Sequence, residues 1–112
     1  MAFDEGEAEL LRTDLFGLKG LTEKTMFGGL CFFQHGNMIG GARGGAEGGA
    51  LLRVGKENMK AAVAEDGVVP MVMGGRTMGG FVAVTSEALA DDIVRLKLLD
   101  MALTFTASLP PK

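Results

Sequence analysis

The chain is poor in the residue types that most often carry chemistry. Its 112 residues include one cysteine, one histidine, no tryptophan and no tyrosine. A single cysteine, Cys31, cannot form an internal disulfide, and we interpret it as a buried thiol in a protein from a reducing compartment. His35 lies four positions further on, about 13 Å along a strand, so a Cys–His nucleophile pair is not expected. With one His and one Cys, a metal site would have to consist mostly of carboxylates, and no acidic pair stands among the strands, so we expect no metal site. We expect no cofactor either.

Clustered positive charge is missing as well. The formal net charge is −3, from 11 basic and 14 acidic side chains. Since phosphate backbones are held mainly by clustered Lys and Arg, direct nucleic-acid binding is not expected. The middle of the chain, 15–63, is nevertheless weakly basic. Its cations are Lys19, Lys24, Arg43, Arg53, Lys56 and Lys60.

No run of residues is apolar enough to suggest a membrane span. The uncharged stretch 26–42 contains several glycines together with Gln34, His35 and Asn37, which are too polar for the bilayer core. The first fourteen residues carry five acids and one base, unlike the basic start of a secretory leader. We therefore expect a cytoplasmic protein with no membrane partner.

What the sequence has in abundance is glycine, with 18 residues that include six Gly-Gly pairs. Ahead of them, apolar residues at spacings of three and four from Asp4 onward predict an amphipathic helix. Its stripe is Ala8, Leu11, Leu15 and Leu18. Residues 22–27 then read as a strand, and Gly28-Gly29 predicts a turn or bulge at its end.

The clearest hairpin pattern lies between residues 30 and 42. Strands 30–35 and 38–42 are predicted to pair through a type II′ loop made of Gly36 and Asn37. The segment 40–49 contains six glycines, a composition that favours a mobile loop. A strand over 50–54 follows.

The second half of the chain alternates short helices and strands. Residues 56–65 predict a helix that buries Met59, Ala62 and Val63, and Pro70 favours a short edge segment over 71–73. After a turn at 74–76, residues 77–84 read as a strand. One face of that strand is predicted to carry Met78, Gly80, Val82 and Val84.

A long final helix is predicted from Ser86, the expected N-cap, to the Pro110-Pro111 pair. Its predicted buried stripe is Leu89, Ile93, Leu96, Leu103 and Ala107. Short turns between most strands favour an antiparallel sheet. We predict one α+β domain over 1–112 with two layers, an antiparallel sheet of about five to six strands, helices at both termini and one helix in the middle.

Glycine clusters raise the question of phosphate binding, but the signature motifs fail. No Gly-x-Gly-x-x-Gly occurs, and before Gly55-Lys56 the P-loop glycine is replaced by Ala50. Two arginines, Arg53 and Arg76, interrupt apolar strand or turn context, and arginine captures carboxylate or phosphate in a bidentate manner. The alternative interpretation is that each arginine is an ordinary surface residue that favours solubility.

Further candidate binding residues come from the methionines and the basic middle. Met71, Met73 and Met78 are expected to lie near one another, either in the core or at an adaptable interaction surface. Lys24 completes the candidate binding set of Arg53, Arg76, Met73 and Met78. No residues form a recognisable catalytic set, so we expect a non-enzymatic protein more than an enzyme.

Taken together, several local motifs resemble the N-terminal domain of the TfoX/Sxy family, which includes regulators of bacterial competence. The motifs are Met26-Phe27-Gly28-Gly29, Gly36-Asn37-Met38, Leu51-Leu52-Arg53-Val54-Gly55, Gly75-Arg76-x-Met78-x-Gly80 and the terminal Leu109-Pro110-Pro111-Lys112. The resemblance covers nearly the whole chain and implies a compact α+β domain with an antiparallel sheet. Family regulators carry a further C-terminal helical domain, so the chain, which stops at Lys112, is expected to be a stand-alone member.

Three functions follow as hypotheses. The first is an interaction or regulatory module that binds a protein partner, or itself as a homodimer, through a sheet edge or the methionine-bearing turn. The second, implied by the resemblance, is an accessory transcriptional regulator of the competence type. The third is a small-molecule or anion-binding domain that uses Arg53 and Arg76.

Overall fold

The structure is a computed structural model that describes residues 3–26, 28–45 and 48–112. Helix α1 (Glu5–Leu15) begins where the Asp4 side chain accepts a hydrogen bond from the Glu7 amide at 2.9 Å. Acidic residues in its first turn interact favourably with the helix dipole. The predicted stripe is confirmed. Its buried members are Ala8, Leu11 and Leu15, with Leu18 half-buried beside them.

Within the described part of the chain, six strands form one antiparallel sheet in the order β1-β2-β3-β4-β6-β5. The strands are β1 (Leu21–Met26), β2 (Gly29–Gln34), β3 (Asn37–Ala42), β4 (Ala50–Arg53), β5 (Val68–Met73) and β6 (Arg76–Val84). The predicted edge segment after Pro70 is part of β5, at one edge of the sheet. The predicted turn is present at Gly28, but Gly29 pairs with Met26 and is already the first residue of β2. Phe27, part of that motif, lies outside the described residues.

The hairpin between β2 and β3 turns one residue earlier than predicted. Gln34 pairs with Asn37, so the loop is His35-Gly36, and both residues have positive φ, 50° and 84°. Two positive φ values are those of a type I′ turn rather than the predicted type II′. Asn37 is instead a buried strand residue whose Nδ2 donates to the Pro110 carbonyl at 2.9 Å. This hydrogen bond to the end of the chain satisfies the buried Asn37 side chain, which is why Asn37 belongs to the strand and not to the turn.

The glycine-rich segment 40–49 is not a loop throughout. Gly40 and Gly41 are buried strand residues of β3, which corrects the predicted loop boundary. A Cβ on Gly41 would collide with the Leu30 carbonyl oxygen, and one on Gly40 with the Leu51 carbonyl oxygen. The glycines therefore allow three strands to approach closely. Ala46 and Glu47 lie outside the described residues, so the mobility of the remainder stays a prediction.

Strand β6 bends away from β5 halfway along its length. Pro70 pairs with Val82 and Val72 with Thr77, so residues 78–81 stand opposite Met71 alone. The extra residues break the alternation of side chains between faces. The prediction that Met78 shares a face with Val82 and Val84 is therefore wrong. Met78 packs with Phe81 and Ala83 instead.

The C-terminal region forms two helices where one was predicted. They are α3 (Ser86–Ala90) and α4 (Asp92–Ala107), separated by Asp91 in an extended conformation with φ −81° and ψ 111°. Thr85, not Ser86, caps α3, and Asp91 caps α4. The break resets the helical phase, so the predicted stripe is wrong at Ile93, Leu96 and Ala107, which are exposed, whereas Leu103 is half-buried against the main core. The residues of α4 that are buried are Arg95, Leu98, Leu99, Ala102 and Thr106.

The helices cover one face of the sheet. Their buried apolar residues join strand residues such as Phe32, Leu52 and Val82 in the main core. The middle helix, α2 (Met59–Val63), follows a 3-10 turn (Lys56–Asn58) and contributes Ala62, as predicted. The α+β class, with an antiparallel sheet and helices at both ends and in the middle, is confirmed. None of the described helices is long and apolar enough to cross a membrane.

Candidate functional site

A cleft lies where the end of β4 meets the bend of β6 and the last turns of α4. The Gly55 amide donates to the Gly80 carbonyl at 3.0 Å, which holds the chain after β4 against the bent part of β6. The cleft has a volume of about 510 Å³. Its side chains include Arg53, Lys56, Glu57, Thr104, Phe105 and Ser108.

Arg53 is held in this cleft by two aromatic rings. Its guanidinium carbon lies 5.6 Å from the centre of the Phe81 ring and 5.2 Å from that of Phe105. Distances below about 6 Å correspond to cation–π contact. Among residues 3–26, 28–45 and 48–112, no hydrogen bond or ion pair engages the half-buried Arg53 side chain. The guanidinium is thus positioned by rings and not by a carboxylate.

Glycines shape the walls of the cleft. A Cβ on Gly79 would lie 2.9 Å from Cε of Lys56, so the lysine stem runs directly over this glycine. Gly55 has φ 88°, and a Cβ there would lie 2.6 Å from the Phe105 ring. Positive φ and close approach both favour glycine at this position. The Gly-Gly and Gly-Lys patterns of the sequence therefore mark the cleft, although they do not form a phosphate-binding motif.

The predicted binding residues do not converge on one site. Arg53 lines the cleft, whereas Arg76 is exposed at the turn between β5 and β6 and is not among the lining residues. Lys24 is exposed on the edge strand β1, opposite Cys31. Met73 and Met78 lie together, as expected.

These two methionines belong to a small second cluster on the sheet face opposite the helices. They are half-buried there against three buried residues, Leu51, Met71 and Ala83. Phe81 takes part in this cluster and also contacts Arg53, so the cluster and the cleft adjoin. The sequence analysis did not place Lys56, Glu57, Thr104 and Phe105 in a site with Arg53. The first two follow β4 in a 3-10 turn, and the last two arrive through the packing of α4 against β4, which no local motif reveals.

A second surface was also missed, on α4. Ile93 is 81% exposed and Leu96 is 50% exposed, and both were predicted to be buried. Ala107, further along the same stripe, is exposed as well. These three members of the predicted stripe lie on the side of α4 that faces away from the core, unlike Leu89 and Leu103. We call Ile93 and Leu96 the outer face of α4.

A buried ion pair fixes α4 against α1. Arg95 Nε donates to Asp14 Oδ2 at 2.6 Å, and Arg95 Nη1 donates to the Leu89 carbonyl at 3.0 Å. The hydrogen bond that Arg95 donates to Asp14 raises the pKa of Arg95 above its ordinary value, against the opposing effect of burial. Arg95 is therefore a structural cation, with no free charge to offer a ligand.

Two other features limit the chemistry that the described residues can perform. Burial raises the pKa of the Cys31 thiol, which makes it a poor nucleophile at neutral pH. Within the described residues, no group of three or more His, Cys, Asp or Glu side chains is placed to hold a metal ion.

Comparison with known proteins gives one match. Residues 14–106 match the family described as the TfoX N-terminal domain. No curated protein and no solved structure matches the chain.

Proposed function

The chain belongs to the TfoX N-terminal domain family, and on this premise we propose that it is a non-enzymatic regulatory module that acts by binding another protein. The family suggests a regulatory, competence-related role. The buried thiol of Cys31 and the structural role of Arg95 support a binding function over a catalytic one.

The outer face of α4 carries the proposal. One side of this helix is buried in the main core by Leu98, Leu99 and Ala102, and the opposite side exposes Ile93 and Leu96. Ile93 and Leu96 are three residues apart and therefore adjacent on the helix surface, where they form a small exposed apolar patch. We infer that a partner protein covers the outer face of α4.

The charge around this face indicates the chemistry of the partner. Exposed acids surround it on α3 and α4, namely Glu87, Asp91, Asp92 and Asp100. The cations of this region are already engaged, since Arg95 pairs with Asp14 and Lys97 donates to Glu65 at 2.7 Å. We propose a partner with an apolar surface rimmed by Lys and Arg. A homodimer through this face is less favoured because it would bring the acids of two copies together.

The two surfaces considered from the sequence are less suited to docking. Pro70 lies in edge strand β5, and Glu23 and Lys24 lie in edge strand β1, which are features that discourage pairing with another strand. Met73 and Met78 are half-buried in their own cluster. Edge strand β5 exposes Val69 and Val72, at 56% and 55%, whereas Ile93 on the outer face of α4 is 81% exposed.

An accessory role in transcription is compatible with this proposal. The family connection favours it, and the net charge of −3 favours action through a protein over direct contact with nucleic acid. The identity of the captured partner distinguishes the accessory role in transcription from a more general regulatory role. A component of the transcription machinery supports the accessory role, and any other protein supports a more general regulatory module.

The test is affinity capture with variants that differ in one surface. Wild type, Ile93→Asp and Val72→Asp are immobilised, and captured proteins are identified and then purified for titration. Val72 is the matched control because it is 55% exposed on a different element. We expect the partner to bind wild type and Val72→Asp equally, to lose at least about tenfold affinity for Ile93→Asp, and to bind more weakly as salt rises.

If the partner binds Ile93→Asp and wild type equally, the outer face of α4 is not the docking surface. A comparable loss of affinity in Val72→Asp would exclude it as well. Light scattering of the purified chain reports the homodimer separately. If the chain forms a stable dimer and Ile93→Asp dissociates it, the molecule that covers the outer face of α4 is a second copy of the chain and not a partner protein.

A further inference from the structure

We propose that the cleft around Arg53 is a binding site for a small organic monocarboxylate. The cleft is separate from the outer face of α4, and its volume of about 510 Å³ falls in the range of roughly 300–1,000 Å³ typical of small-molecule sites. It combines an apolar wall, the Phe105 ring, with a few polar groups that converge on the same space.

The geometry of Arg53 indicates an anionic group. A guanidinium that is positioned by aromatic rings and not by a carboxylate keeps N–H donors for a ligand, and those donors match the two oxygens of a carboxylate. Here the rings are Phe81 and Phe105, at 5.6 and 5.2 Å. Since no carboxylate of the described residues lies within 4.0 Å of this guanidinium, its donors are available to a ligand.

The balance of charge in the cleft favours a monoanion. Arg53 and Lys56 contribute two positive charges and Glu57 one negative charge, so the lining carries a net charge of +1. A carboxylate carries one negative charge at pH 7, whereas a phosphate monoester carries about 1.5 to 2. The carboxylate therefore neutralises the cleft without excess charge next to Glu57.

Hydroxyl groups and the ring define the rest of the ligand. Thr104 and Ser108 both line the cleft. Ser108 Oγ donates to the Phe105 carbonyl at 2.6 Å, so its hydrogen is engaged and the Thr104 hydroxyl is the one that can donate to a carboxylate oxygen. The Phe105 ring offers a flat apolar surface beside them. A planar body attached to the carboxylate fits this arrangement, which makes benzoate a suitable probe.

The experiment is a titration of the full chain with benzoate, followed by amide chemical shifts or calorimetry. We expect saturable binding that Arg53→Gln weakens by roughly 10- to 100-fold, the loss of one charged hydrogen-bond pair. Lys56→Gln, at an exposed position where a substitution is expected to leave the fold intact, is expected to weaken binding, and Glu57→Gln to strengthen it. Arg76→Gln is the matched control because it removes an arginine outside the cleft.

Other outcomes overturn the assignment. Absence of saturable benzoate binding to wild type excludes the site, and equal binding by Arg53→Gln or an equal loss in Arg76→Gln excludes the role of Arg53. Tighter binding of phenyl phosphate than of benzoate excludes the monoanion. The result is independent of the proposed function, because Ile93→Asp is expected to bind benzoate as wild type does.

Discussion

At the scale of single residues, the clearest determinant of the fold is the charge of Arg95. Its side chain is only 6% exposed and lies between Asp14 of α1 and Asp92 of its own helix. A buried charge is tolerated only where it is paired and hydrogen-bonded. Asp14 supplies the shorter of the two ion pairs, at 2.6 Å, and fixes the position of α4 on α1.

Removing that partner is expected to be strongly destabilising. In Asp14→Ala the guanidinium of Arg95 stays buried without its main counter-charge, and we expect the free energy of unfolding to fall by about 3 kcal/mol. Urea unfolding followed by circular dichroism measures the change.

A second acid on α1 provides the control for this variant. Glu9 pairs with Arg12 at the surface, and Glu9→Ala is expected to change the free energy of unfolding by less than about 1 kcal/mol. If the two variants were equally stable, the Arg95–Asp14 pair would not hold α4 in place.

At the scale of elements, the break at Asp91 decides which side of α4 faces the core. Asp91 Oδ1 accepts hydrogen bonds from the Ile93 and Val94 amides at 3.0 and 3.1 Å. This cap starts a new helix, so the phase carried over from Leu89 does not continue. Leu98 and Ala102 are buried in place of Ile93 and Leu96.

Loss of this cap is expected to weaken the junction of α3 and α4. Asp91→Ala removes both hydrogen bonds and is expected to lower the free energy of unfolding by about 1 kcal/mol. Asp91→Asn retains an acceptor oxygen and is expected to stay near wild type. Thermal unfolding compares the two, with Asp100→Ala as a control for loss of an acid in mid-helix. A loss in Asp91→Asn as large as in Asp91→Ala would contradict a capping role.

Elements with strong local patterns could be predicted from the sequence. The exact positions of turns and bends could not. The stripe of Ala8, Leu11 and Leu15 identified α1 because helix period and burial agree along one uninterrupted element. The His35-Gly36 turn was misplaced by one residue because the partner of Asn37, the Pro110 carbonyl, lies 73 residues away. The bend of β6 likewise depends on its contact with Gly55, which no local pattern of residues 78–81 reveals.

The same reasoning applies to the candidate site. Arg53 could be selected from the sequence because a charge in an apolar strand is unusual. Its companions come from three separate segments. Lys56 follows β4 directly, Gly79 is brought close by the pairing of β4 with β6, and Phe105 by the packing of α4 against β4. The exposure of Ile93 depends on the new phase after Asp91. Long-range contacts thus determine which candidates share a site.

At the scale of the whole molecule, the sheet joins both halves of the chain. The hairpin strands β2 and β3 come from residues 29–42, and β4 links them to β6 from residues 76–84. The main core draws on all four helices, α1 through Ala8, α2 through Ala62, α3 through Leu89 and α4 through Leu98. We therefore expect one cooperative unfolding transition.

Cys31 provides a probe of that cooperativity. Its buried side chain lies on β2 between Lys24 of β1 and Gly41 of β3. Since the thiolate is the reactive form and burial raises the pKa of this thiol, the folded protein is doubly protected from alkylation. Labelling by iodoacetamide at pH 7.5 is expected to be slower than in urea by at least about 1,000-fold, since typical domains have unfolding free energies above 5 kcal/mol.

The route to labelling distinguishes global from local opening. If Cys31 reacts only after global unfolding, Leu52→Ala, a core truncation elsewhere in the sheet, should speed labelling by the factor that matches its loss in unfolding free energy. A labelling rate that is insensitive to Leu52→Ala and to low urea would instead show that β1 detaches from Cys31 on its own.

The raised pKa of the Cys31 thiol also predicts how the free energy of unfolding changes with pH. The unfolded thiol ionises first, so stability is complete below the ordinary thiol pKa and is expected to fall above about pH 8.5. Cys31→Ala should lack that decrease.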